Sequence, residues 1–113
     1  MPRDTNAVGT IFGGVILSEV DLAAAIEASK HHSGRVVTVS MNKIDFKAPV
    51  YVGDLVSFHT QTDRVGRTSV TVRVDVWAQR RFGGSEMTHV TEALVTMVAV
   101  DGDMKPIPVV RPD

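Results

Sequence analysis

Asp21 stands in the stretch Gly13–Ser29, GGVILSEVDLAAAIEAS, where most other residues are apolar or small. Burying a carboxylate without a partner is costly, so this side chain needs either a partner or a task. On a helical wheel at 100° per residue with Leu17 at zero, Asp21 falls at about 40°, Gly14 at about 60°, Ala25 at about 80°, Ser18 at about 100° and Ala24 at about 340°. The bulky Val15, Ile16, Leu22 and Ile26 project elsewhere. Asp21 therefore lies in a stripe of small residues, along which another backbone or a ligand can come close. Two readings compete. In one, Asp21 pairs with a basic residue or a hydroxyl and supports packing alone. In the other it faces a cleft as general base or nucleophile, and Gly13-Gly14 ahead of it offer bare N–H groups at the positive end of a helix, suited to a developing oxyanion. A glycine turn entering a helix is the plain alternative for that pair. Glu19 projects among bulkier apolar neighbours and reads as a salt-bridge partner.

The other candidates for chemistry are weaker. His31, His32, His59 and His89 have no metal-ligand spacing such as H-E-x-x-H, so no metal site is expected. There is no G-x-S-x-G, which argues against an α/β-hydrolase serine mechanism. Gly83-Gly84-Ser85 is too short for a phosphate loop. The run Val65–Ser69, VGRTS, brings a turn, an arginine and two hydroxyls together, a set that suits a phosphate. A plain hairpin turn with a solvated arginine accounts for it equally well.

The elements that must position these residues follow from periodicity. Met1–Thr10 lacks a pattern and reads as a loop. Val15–His31 reads as the one helix, apolar on most sides and hence buried. Lys30, His31 and His32 suit its negative end, and Gly34 suits a left-handed cap. Arg35–Phe46 is rich in β-branched residues, and its apolar positions change parity between Met41 and Ile44, which predicts a bulge or bend. Pro49 and Gly53-Asp54 mark turns, Leu55–Val65 is a second strand, and Gly66-Arg67 is a tight turn. In Thr68–Arg81, Val70, Val72, Val74 and Val76 face one side, and Thr71, Arg73, Asp75 and Trp77 the other. Thr88–Asp101 is apolar on both faces, as a central strand is. The tail from Met104 is too rich in proline to continue a sheet. One helix followed by about four long strands predicts an α+β layer with the sheet curled round the helix. Such a sheet leaves an edge or face open, for which dimerisation is the natural remedy.

Composition narrows the function classes. A chain of 113 residues suffices for one domain, 1–113, with a modest core. A formal net charge of −1 gives no footprint for nucleic acid or an anionic membrane. No apolar run approaches the ~20 residues that span a bilayer. The absence of cysteine removes disulfides, thiolate metal sites and a thiol nucleophile together, and fits a reducing cytoplasm.

Beyond these physical readings, Asp4–Gly14, DTNAVGTIFGG, resembles the D-x-N-x-x-G-x-x-F/H-G-G segment of the hotdog-fold acyl-CoA thioesterases. The likeness is to the YciA-type bacterial enzymes, with brain acyl-CoA hydrolases as relatives. It continues in order through ILSEVDLAAA, GRVVTVSMNKIDFKAPVYVGD, VGRTSVTVRVDVW and VTEALVTMVAVD. The resemblance implies a long helix wrapped by a curved antiparallel sheet, dimers that associate further into trimers of dimers, and hydrolysis of acyl-CoA to a free acid and CoA. It implies no cofactor, because CoA belongs to substrate and product. It places the helix carboxylate on Asp21, the motif asparagine on Asn6, the oxyanion donor on Gly14, and the CoA contacts on Gly66, Arg67, Thr68 and Ser69. It also implies that Asn6 and Asp21 meet from different protomers. The family pattern carries a first strand ahead of the MP segment, and the sequence, which opens at MP, is expected to lack that strand. Val15 stands for a common tryptophan, Ala23-Ala24 stand for Gly-Gly, and Leu94, Val95 and Met97 occupy a region often more aromatic. Two other readings keep the fold. A hotdog hydratase or dehydratase needs a histidine near the helix start, and none precedes His31. A binding module would hold an acyl or nucleotide ligand with Asp21 structural.

Overall fold

The computed structural model describes residues 13–80 and 86–110. Helix α1 (Gly13–Ala28) is followed by β1 (Arg35–Asn42), β2 (Leu55–Val65), β3 (Ser69–Gln79) and β4 (Met87–Val100). The strands form one antiparallel sheet in the order β1-β4-β3-β2, and α1 packs against all four. This is the α+β layer expected from the order of elements.

The core is built from two matched periodicities. On β3, Val70, Val72, Val74 and Val76 are fully buried beneath the helix. On α1, Ile16, Val20, Ala24 and Ala28 recur every four residues and form the buried stripe. The alanines let the helix axis approach the sheet closely. The central strand β4 alternates Ala93, Val95, Met97 and Ala99 into the same core. Burying such apolar surface supplies roughly 25 cal/mol per Å².

The helix is not buried on most sides, as its composition suggests. Leu22 and Ile26, opposite the buried stripe, are 58% and 64% exposed. Among the described residues, four strands cover one side of the helix and leave its second apolar face exposed.

The bends lie where the chain must change direction. Lys43, just after β1, has φ 58°, so the parity change between Met41 and Ile44 is a left-handed bend. A separate bulge at Val39, between Thr38 and Ser40, leaves no local trace in the sequence. After the bend the chain crosses to the start of the helix. There the Phe46 ring sits against Gly13, where any Cβ would lie 3.2 Å from it. Gly34 does not take the left-handed cap expected of it. Instead its missing side chain makes room for the His32 ring, whose Nε2 would stand 2.8 Å from a Cβ there. Nor does the proline-rich tail leave the sheet altogether. It turns at Asp101–Lys105, bridges Val100 to Pro106, and donates the Ile107 N–H to the Ala99 carbonyl.

Candidate functional site

Asp21 lies midway along α1 at the margin of the buried stripe and is half-buried. Its Oδ1 accepts a hydrogen bond of 2.5 Å from the Thr38 hydroxyl on β1. That length is typical of O–H donation to a carboxylate. Ion pairs among the described residues involve Glu27, Asp54, Asp75 and Glu92, but not Asp21. The hydroxyl partner is thus present and the basic one is not. Glu19 is exposed and takes part in no ion pair among the described residues.

Gly14 sits in the first turn of α1, exposed, with open space where a Cβ would stand. First-turn N–H groups have no carbonyl acceptor within their own helix. Seven residues separate Gly14 from Asp21, about 10 Å at 1.5 Å per residue. One reacting carbonyl cannot touch both groups of the same chain. A pocket of about 410 Å³ opens at the helix start, lined by Gly13, Ile16, Phe46, Lys47, Ala48, Pro49 and Val50. Asp21 is not among its walls. Asn6 lies outside the described residues.

The turn Gly66–Ser69 joins β2 to β3. The Gly66 N–H donates to the Ser69 carbonyl at 2.8 Å, and a Cβ on Gly66 would stand 2.7 Å from the Ser69 hydroxyl. The Thr68 carbonyl accepts from the Ala99 N–H and the Arg67 carbonyl from the Val109 N–H, both at 2.8 Å. The Arg67 side chain is exposed. In the sheet, Thr38 pairs with Met97 and Met97 with Val70. The Asp21–Thr38 contact therefore stands two strand spacings, roughly 10 Å, from the end of this turn.

Comparison with known proteins decides the family. The model of the thioesterase superfamily matches residues 8–81. The chain belongs to the thioesterase superfamily. The acyl-CoA thioester hydrolase YciA of Escherichia coli K12 is 42% identical over 108 residues, which span 94% of this chain and 82% of that one. Among solved structures, a hexameric hotdog-fold thioesterase of Campylobacter jejuni is 50% identical with a TM-score of 0.87, over 96% of this chain and 83% of that one. A hexameric thioesterase of Yersinia pestis is 39% identical with a TM-score of 0.90, over 100% of this chain and 90% of that one. The fold of this thioesterase is thus the hotdog.

Two polar residues of the thioesterase escaped the sequence reading. Thr38 is one: its contact spans seventeen residues, and no local pattern marks it. The other is Glu27, buried at the C-terminal end of α1. It accepts hydrogen bonds from Thr62 at 2.8 Å and Thr60 at 3.2 Å, and pairs with Lys30 at 2.8 Å. Lys30 and then Thr62 and Thr60 hold its pKa down to about 2 against the opposing effect of burial. The wheel that singled out Asp21 also places Glu27 at about 280°, between Ile16 and Val20 on the buried stripe. A second charged cluster lies on the outer face of the sheet. Burial pushes the Asp75 carboxyl up, but Arg73 and His89 outweigh it and leave its pKa below the usual range.

Proposed function

We propose that the protein hydrolyses acyl-CoA thioesters to a free acid and CoA, with Asp21 as general base or nucleophile. What carries this reading is the state of Asp21: a half-buried carboxylate held by one hydroxyl and neutralised by no cation among the described residues. Thr38 occupies Oδ1, leaving Oδ2 to take a proton from water or to attack the thioester carbon. In the first route water adds to the carbonyl, the tetrahedral oxyanion collapses, and the C–S bond breaks to release CoA thiolate. In the second, Asp21 forms a mixed anhydride that water then opens. Thiolate leaves readily, so no strong general acid is needed. The Gly14 N–H holds the oxyanion, and Asn6 orients the water or the thioester. Arg67 and the hydroxyls of Thr68 and Ser69 hold the CoA phosphates. No cofactor takes part.

The 10 Å between Gly14 and Asp21 requires that the two groups at one carbonyl come from different copies of the chain. Dimers therefore form the catalytic unit, and three dimers assemble as in the hexameric relatives. The enzyme works in the cytoplasm, on the reading that a chain free of cysteine suits a reducing compartment.

The Asp21–Thr38 bond also suits a second reading, a binding module in which it merely ties the helix to the edge strand. Asp21→Asn separates the two, because the amide oxygen still accepts from Thr38 while the charge is gone. On a panel of acyl-CoA substrates, with thiol release followed by a chromogenic disulfide, the variant is expected to keep its assembly and lose nearly all turnover. Unchanged turnover would remove Asp21 from the chemistry, and an inert wild-type protein across the panel would favour the binding module.

A further inference from the structure

We infer that His32 is a positioning residue for the Arg67 turn, acting through the backbone of Val109. The inference rests on reading that turn as a contact for the nucleotide end of CoA. Val109, 3% exposed, belongs to the tail that follows β4. Its N–H donates to the Arg67 carbonyl at 2.8 Å, and its carbonyl faces His32 Nδ1 at 3.1 Å. A carbonyl only accepts, so Nδ1 carries the proton. The other ring nitrogen, Nε2, is buried without a partner among the described residues, so the Val109 carbonyl is the ring's one polar contact there. The ring fits there because position 34 is glycine. One residue of the tail thus clips the end of the helix segment to the turn between β2 and β3.

The clip complements the turn's other restraints. The Gly66 N–H and the Thr68 carbonyl are already committed to Ser69 and Ala99, and Val109 commits the Arg67 carbonyl. The exposed guanidinium is therefore presented from a backbone fixed on every side. A fixed presentation spares the ordering cost of a charged contact with phosphate. Releasing the clip leaves the chemistry at Asp21 alone and weakens the grip on the nucleotide.

The test compares two substrates with the same acyl group, an acyl-CoA and the acyl-pantetheine that lacks the nucleotide. His32→Ala is expected to raise KM for acyl-CoA roughly ten-fold, the effect of one lost hydrogen bond, with kcat unchanged and no change of KM on acyl-pantetheine. His32→Asn, whose amide N–H stands where Nδ1–H was, is expected to restore KM. Val109→Pro removes the N–H to Arg67, along with the buried valine side chain, and is expected to reproduce the His32→Ala pattern on the two substrates, which gives a second, independent break of the clip if the alanine variant does not fold. Arg67→Ala tests the underlying reading. If it fails to distinguish the two substrates, the nucleotide assignment of the turn falls and the clip falls with it. If it distinguishes them while His32→Ala and Val109→Pro do not, the clip alone is refuted. An equal effect of His32→Ala on both substrates, or a loss confined to kcat, also refutes it.

Discussion

Replacing Thr38 by valine removes one oxygen and keeps the shape. The side chain is exposed on the edge strand β1 next to the bulge at Val39, and valine suits a strand, so the fold should persist. What goes is the 2.5 Å hydrogen bond to Asp21 Oδ1. Hydrogen bonds to charged groups contribute roughly 1.5–3 kcal/mol. The bond aims the carboxylate, and a carboxylate free to rotate spends less time with an oxygen against the incoming water. If the whole contribution is felt in the transition state, kcat falls roughly ten- to hundred-fold, since about 1.4 kcal/mol is a decade in rate. KM should change little, because Thr38 is not placed against the substrate. The assay is thiol release under saturating acyl-CoA, with circular dichroism and sedimentation to confirm fold and assembly. Thr38→Ser keeps the hydroxyl and should recover most of the rate. A valine variant with wild-type kcat would refute the role given to the hydroxyl. A serine variant that lost as much rate as the valine variant would show that the hydroxyl alone does not suffice and that the methyl group is needed to hold it in place.

Glu27→Ala leaves the Thr60 and Thr62 hydroxyls without their acceptor and should lower stability by about 1–3 kcal/mol, read as a fall in Tm with little effect on kcat. The same carboxylate predicts acid sensitivity. Its pKa is 4.5 when unperturbed and about 2 in the fold, so its contribution is complete above pH 4.5 and is lost as pH falls towards 2. That shift corresponds to roughly 3 kcal/mol at most. Lys30, its largest cause, is 67% exposed, so solvent screening brings the value nearer half. Glu27→Gln should flatten stability against pH across that window, and an unaltered acid limb in chemical denaturation would count against the assignment. Gly53→Ala should cost about 1 kcal/mol, because φ 95° strains any side chain, and an unchanged Tm would show that the turn relaxes.

How much was legible depended on the range of each interaction. Val70, Val72, Val74 and Val76 were readable as one face because a strand has period two, and all four are buried. The bend near Lys43 was readable because it changes the parity of its neighbours. The helix wheel separated Asp21 from the bulky residues, yet it could not say what Asp21 touches. Thr38 meets it only through the register of β1 on the sheet, and the bulge at Val39 shifts that register without any local signal. Gly34 was misread because glycine at a helix end usually supplies backbone freedom, whereas here it supplies space for a ring that packs against a tail 77 residues further on. Asn6 and its motif lie outside the described residues, so its part in the chemistry stands on resemblance alone.

On the proposed mechanism, one chain supplies half of a site. Gly14 and Asp21 are two turns apart, too far to share a carbonyl, and lie within about 20° of each other on the wheel. The apolar face carrying Leu22 and Ile26 lies beside that line, uncovered by the chain's own strands. An exposed face of this size on a soluble monomer is a liability unless something packs on it. Two copies set antiparallel near this stripe would bring the amide end of one helix towards the middle of the other, and the same association would complete the chemistry and lessen the exposure. Dilution should then lower the specific activity of the proposed thioesterase in step with dissociation measured by sedimentation, whereas constant specific activity through complete dissociation to monomers would show that a single chain suffices.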